Sequence, residues 1–267
     1  LTTDISCAGD KDIVLVGIPV KFVREVCNQA KPYVSKNSIM VSSSKGLEDG
    51  SLKRMSEVIK EVFPDNTVAV LTGPSHAEEL GRGIPTAVVA ASEDTEAAKL
   101  IQKTFSDNVL RLYVNSDVIG CEIGGAIKNV IALCCGVIEG LGLGDNTRAA
   151  LMTRGLSEIT RLGIAMGGKA DTFSGLAGVG DLIVTCTSMH SRNFRAGILI
   201  GQGVSPQEAV LRVGTVEGYA CASAALKLAK KYDVNMPITE EINRILFEGK
   251  SPKSAIGDLM GRPHGFE

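Results

Sequence analysis

Two lysines stand where a lysine could do chemistry. Lys45 follows Ser42, Ser43 and Ser44 at the end of a short apolar run, and strand ends are where open α/β sheets bind ligands. Its ammonium there would meet a phosphate or a reacting oxygen. Lys128 sits in the middle of the stretch 118–140, where Ile119, Ile123, Ile127, Val130, Ile131, Cys134, Val137 and Ile138 spread round most of a helical circumference. Such a lysine has two readings. Desolvated, its pKa falls and it can act as a general base; otherwise it snorkels or pairs with a carboxylate while Gly124 and Gly125, on the same face, serve helix packing. Paired glycines cost about 1 kcal/mol each in a helix interior, so a ligand or another element must approach closely there.

Other candidates surround these two. Asp181 is either a helix cap or the carboxylate that holds a buried lysine. Ser191 reads as the cap of a helix whose first turn carries Arg192 and Asn193. Positive charge in a first turn opposes the helix dipole unless an anion binds there, and a phosphate would resolve the conflict. Gly73, Pro74 and Ser75 end another strand just before a helix expected to start at His76 or Ala77, and could cap it or cradle a ligand. His76, His190 and His264 share no metal-ligand spacing, so no metal is expected. Ser75 and His76 are chain neighbours whose side chains point apart, and they make no nucleophile pair.

The elements that must position these groups divide the chain in two. Short β-branched runs at 12–19, 38–44, 67–75, 86–92 and 109–115 read as strands buried on both faces, and most are separated by helical patterns at 20–30, 51–63 and 94–105. This alternation predicts an α/β domain with a doubly wound, Rossmann-like, mostly parallel sheet over residues 1–115. From about Ser116 glycine-punctuated helical patterns take over, so 116–267 reads as an all-helical domain, with helices at 118–140, 147–167, 191–202, 217–232, 238–248 and 252–260. The dinucleotide fingerprint G-x-G-x-x-G occurs nowhere in the 267 residues. Either the sheet binds no dinucleotide, or the turn that would hold its pyrophosphate precedes Leu1.

Composition excludes several classes. Lys and Arg number 28 against 30 Asp and Glu, too even for the one-sided basic field that nucleic acid or an anionic membrane attracts. Seven cysteines without a C-x-x-C pair fit a reduced cytoplasm. No apolar run is expected to reach the roughly 18 to 20 residues of a membrane span.

Taken together, the stretches SSSKGLEDG (42–50), LTGPSHAEEL (71–80), EIGGAIKNVIALCCGVIEGLGLGDNTRAALMTRGL (122–156), GLAGVGDLIVTCTSMHSRNFRAG (175–197), VEGY (216–219) and MPITEEI (236–242) resemble the bacterial type of glycerol-3-phosphate dehydrogenase that uses NAD or NADP. The likeness runs from Asp4 to Pro263. It implies a nucleotide-binding domain, here N-terminally incomplete, followed by a helical substrate domain. It also implies hydride transfer between sn-glycerol 3-phosphate and dihydroxyacetone phosphate, supplying glycerol phosphate for phospholipid synthesis.

By that resemblance Lys128 is the proton acceptor, with Asp181 orienting it, and Lys45 is a cleft lysine that touches substrate and lies near the cofactor. Gly73, Ser75, Asn129, Asp181, Thr185, Ser191, Arg192 and Asn193 match substrate positions. Ala77, Arg192, Thr215 and Glu217 match cofactor positions. The expected partner is a small-molecule phosphate substrate, with no nucleic acid and no membrane span, and a homodimer is left open. Two other readings stand beside this one: a non-catalytic remnant that binds a phosphate metabolite, and a related two-domain hydroxyacid or sugar-phosphate dehydrogenase.

Overall fold

The structure is a computed structural model that describes residues 1–263. In chain order its elements are β1 (Ile13–Val16), α1 (Val23–Ala30), β2 (Ile39–Ser42), α2 (Met55–Val62), β3 (Val68–Thr72), α3 (Ala77–Leu80), β4 (Thr86–Ala91), α4 (Thr95–Phe105) and β5 (Leu110–Asn115). The helices α5 (Val118–Gly140), α6 (Asp145–Ala165), α7 (Ala170–Phe173), α8 (Asp181–Thr187), α9 (Arg192–Gly201), α10 (Pro206–Val213), α11 (Glu217–Lys231), α12 (Pro237–Phe247) and α13 (Pro252–Met260) follow. Two compact units emerge. One comprises Leu1–Ala126 with Gly163–Asp181, and the other Ile127–Leu162 with the chain from Leu182 onward.

In the first unit the five strands lie in the order β1-β2-β3-β4-β5. Successive side chains alternate between the faces, and both faces are covered. Val16, Met40, Val58 and Ile59 pack with α1 and α2 on one side, and Val41, Ala69, Ala90 and Ile101 with α4 on the other. That double cover is why the strands read as unbroken apolar runs rather than alternating ones. Three of the four pairings are parallel, but β3 and β4 run antiparallel, with Leu71 opposite Ala90. An antiparallel neighbour needs no crossover helix, which explains why only the four-residue α3 separates them.

Local chemistry shifts some boundaries. The helical pattern at 51–63 starts at Met55, where Arg54 N–H donates to the Glu57 carboxylate at 2.8 Å and fixes the first turn. Helix α10 was not anticipated; Ser205 caps it by accepting from Glu208 N–H, and Pro206 takes the position where its missing N–H does no harm. The expectation about apolar runs is corrected by α5. Its 23 residues, at a mean hydropathy of 1.6, are long and apolar enough to cross a membrane, yet 89% of the apolar window is buried inside the protein.

The helical unit gathers round the second half of α5. A Cβ on Gly136 would strike the Phe194 carbonyl, and one on Gly197 the Leu133 carbonyl, so α5 and α9 meet backbone to backbone. Glu158 of α6, only 2% exposed, accepts from Ile238 N–H, Thr239 N–H and Thr239 Oγ1 at 2.7–3.1 Å, capping α12 from outside its own helix. Burial pushes its carboxyl up to about 7 against those three bonds. The folded protein therefore keeps a proton that the unfolded chain, titrating near 4.3, has already lost. Stability should fall as pH rises through the window from about 4.3 to about 7 and level off above it, by up to roughly 4 kcal/mol. Chemical denaturation at successive pH values checks this: the wild-type slope should disappear in Glu158→Gln, and an equal slope in both proteins would refute it.

Candidate active site

The loop after β2 is fastened before it presents Lys45. Ser44 Oγ donates to the Ile18 carbonyl at 2.5 Å and accepts from Ile18 N–H at 3.3 Å, tying the start of the loop to the end of β1. Arg24 grips Glu48 through two hydrogen bonds of 2.7 and 2.8 Å, the geometry in which a guanidinium holds a carboxylate best. At the far end Arg54 pairs with Glu122 of α5 at 2.7 Å, and the same carboxylate accepts from Ser56 N–H at the start of α2. Burial raises the Glu122 pKa, with Arg54 and Ser56 acting in the opposite direction.

So held, Lys45 Nζ donates to the Gly73 carbonyl at 2.7 Å and to Ser75 Oγ at 3.4 Å, and forms an ion pair with Asp181 Oδ2 at 2.9 Å. The carboxylate is 1% exposed and the lysine side chain 22%. Gly73 has φ +132°, and a Cβ on it would lie 3.1 Å from Val88 Cα, so only glycine presents this carbonyl here. Ala77 is exposed at the first position of α3. Asp181 opens α8, but its side chain serves Lys45.

The room foreseen beside Gly124 and Gly125 is taken by the protein. A Cβ on Gly124 would collide with the Ala177 carbonyl of the π-helical segment Leu176–Gly180, and one on Gly125 would come within 2.8 Å of Thr72 Oγ1. Close packing, rather than a ligand, compensates these two glycines.

In the helical unit Lys128 is 5% exposed and donates to Thr185 Oγ1 at 2.8 Å. Asn193 Nδ2 donates to Asn129 Oδ1 at 2.9 Å, while Asn193 Oδ1 accepts from Gly218 N–H at 2.8 Å, so α5, α9 and α11 are locked together by buried amides. Ser191 caps α9 as expected, accepting from Phe194 N–H at 3.2 Å. Arg192 is exposed and makes no hydrogen bond or ion pair among the described residues. Thr215 is exposed in the turn before α11, and Glu217 is the first residue of that helix.

The groups that sequence reasoning overlooked are Thr72, Arg54 and Glu122. Glu122 carried a signal, an acid in the second turn of a mostly apolar helix. Among the described residues no cluster of His, Cys, Asp and Glu could hold a metal, and His264 lies outside them. Burial disfavours the thiolate at five of the seven cysteines: it pushes Cys27 up to about 11 and raises Cys121, Cys134, Cys186 and Cys221 as well.

For a dinucleotide, the partnerless guanidinium of Arg192 at a helix start has the right chemistry for a phosphate. No glycine-rich cradle for a pyrophosphate occurs in this sequence.

Comparison with known proteins supplies the family. Residues 1–98 match the NAD-dependent glycerol-3-phosphate dehydrogenase N-terminus, and residues 117–257 the C-terminus of the same family. Glycerol-3-phosphate dehydrogenase [NAD(P)+] of Thermoanaerobacter sp. (strain X514) is 54% identical over 98% of this chain and 80% of its own length. The enzyme of the same name from Bacillus subtilis (strain 168) is 50% identical over 98% and 77%. The crystal structure of glycerol-3-phosphate dehydrogenase from Coxiella burnetii superposes with a TM-score of 0.90 at 38% identity, covering 94% of this chain and 77% of that one. With both halves matched and half the residues shared with these enzymes, the chain belongs to the NAD-dependent glycerol-3-phosphate dehydrogenase family.

Proposed function

We propose that this protein interconverts sn-glycerol 3-phosphate and dihydroxyacetone phosphate by hydride transfer with NAD or NADP. The family supports the reaction, and the observation that carries the mechanism is Lys128: a lysine 5% exposed in a long, apolar, buried helix, held by Thr185 Oγ1. In the oxidation, neutral Lys128 Nζ takes the proton of the C2 hydroxyl as the C2–H electron pair departs. In the reverse direction its ammonium returns that proton to the developing alkoxide. The nicotinamide, when bound, accepts or supplies the hydride.

The chain's own residues do the rest. Asp181 keeps Lys45 in place, and Lys45 offers positive charge to the substrate oxygens beside Gly73 and Ser75. Ser191 starts α9 so that its free N–H groups and the Arg192 fork receive the phosphate, with Asn193 and Asn129 fixing the helices that carry them. Arg192→Lys keeps the charge but loses the planar two-point fork. KM for dihydroxyacetone phosphate should rise about tenfold, equivalent to about 1.4 kcal/mol, with kcat little changed; an unaltered KM in steady-state kinetics contradicts the phosphate role.

The test of the reaction itself is loss of reduced-nicotinamide absorbance when the chain is mixed with dihydroxyacetone phosphate and NADH or NADPH. Consumption supports the dehydrogenase and ranks the two cofactors. A folded chain that binds glycerol phosphate yet consumes neither supports the non-catalytic reading instead. Seven free cysteines favour a cytoplasmic location. A homodimer is part of the same proposal, and a single species of 28.0 kDa in sedimentation equilibrium would argue against one.

A further inference from the structure

Beneath the Lys45 loop the first unit encloses a cavity of about 10 Å³, bordered by Ser42, Ser44, Lys45, Thr72, Glu122 and Gly125. Ser42 ends β2 and Thr72 ends β3. Ser42 lies opposite Val70 in the sheet, and Thr72 follows Val70 by two residues, so both hydroxyls leave the same face. Ser42 is 1% and Thr72 4% exposed, and neither Ser42 Oγ nor Thr72 Oγ1 has a hydrogen-bond partner among the described residues. Most buried polar groups are satisfied, and an unsatisfied one destabilises the fold. Two at the ends of neighbouring strands, bordering one cavity, call for a shared partner.

Size and charge define that partner. The volume admits one water-sized molecule. Lys45 and Glu122 both border the cavity, so its surroundings carry a group of each sign and select neither a cation nor an anion. A hydroxyl can donate and accept, so the occupant must do both. We propose that a single buried water bridges Ser42 Oγ and Thr72 Oγ1, and that Ser42 and Thr72 are thereby positioning residues for Lys45. Ser42 lies three residues before Lys45, and Thr72 directly precedes Gly73, whose carbonyl receives Lys45 Nζ. The water thus joins the two strand ends between which the lysine is stretched. Its consequence for catalysis rests on Lys45 being a substrate-contacting group; the water itself does not.

A melting-temperature cycle of Ser42→Ala, Thr72→Val and the double variant in the full chain tests the water. Each single variant should melt lower, because it strands the bridging molecule on one partner, and the double variant should lose less than the sum of the two. Single variants as stable as wild type or more so, with an additive double, overturn the proposal, since deleting an unsatisfied buried hydroxyl relieves a penalty.

Steady-state kinetics test the positioning role. Thr72→Val should raise KM for dihydroxyacetone phosphate about threefold to tenfold, as expected for a modest loss of binding, with kcat changed less. Thr72→Ser, which restores the hydroxyl, should return KM towards wild type. A coupled melting cycle with unchanged KM overturns the positioning role alone. An unmutated chain that consumes no NADH or NADPH counts against the proposed function, while the melting cycle still decides the water.

Discussion

Replacing Lys128 with methionine lowers kcat about a thousandfold, within the range a positioned proton-transfer group contributes, and leaves the fold intact. Methionine fills nearly the same volume as the lysine stem, so this substitution avoids the cavity that alanine would open in the buried core of α5. It also removes a charge from a site that is 5% exposed. The melting temperature should therefore stay within a few degrees of wild type. In Lys128→Ala the cavity can admit a small amine, and added methylammonium should restore part of the lost turnover with a pH dependence set by the amine. A residue that merely packs would show no such rescue. The measurement is the initial rate of NADH or NADPH oxidation with dihydroxyacetone phosphate at saturation. Turnover within tenfold of wild type in the methionine variant would remove Lys128 from the chemistry.

The sequence placed Lys128 well because its surroundings are local. Ile123, Ile127, Val130 and Ile131 lie within one turn of it or little more, and helical periodicity alone shows that the helix carrying it is apolar on most sides. The strands were legible for a related reason: sheets covered on both faces leave continuous apolar runs. What escaped was what depends on distant pairing. Asp181 reaches Lys45 across 136 positions, and Arg54 reaches Glu122 across 68. No periodicity records such pairs. The antiparallel turn from β3 to β4 escaped because a short helix and a reversal leave the same polar, glycine-rich stretch as a crossover would. The glycines at 124 and 125 show the opposite limit. Their spacing announced that something comes close, and only the fold showed it to be Ala177 and Thr72.

The Lys45 and Asp181 pair separates stability from function most sharply. Breaking a buried ion pair from one side leaves a charge without its counterion and typically costs 3–5 kcal/mol, whereas replacing both partners by apolar groups is often neutral. Lys45→Met takes the ammonium from a carboxylate that is 1% exposed, and should lower unfolding free energy by about 3 kcal/mol. Asp181→Leu should cost somewhat less, because the lysine side chain is 22% exposed and water can reach the ammonium that remains. The double variant Lys45→Met with Asp181→Leu should regain most of the loss, as urea unfolding of all four proteins would show. Activity should follow a different rule. If Lys45 offers its charge to the substrate, kcat/KM stays roughly tenfold to a hundredfold down in Lys45→Met and in the double variant alike, since a hydrogen bond to a charged group is worth about 1.5–3 kcal/mol. Stability would return without catalysis. A double variant that recovers both would make the pair a structural brace, and would leave the charge at the end of β2 with no part in the reaction.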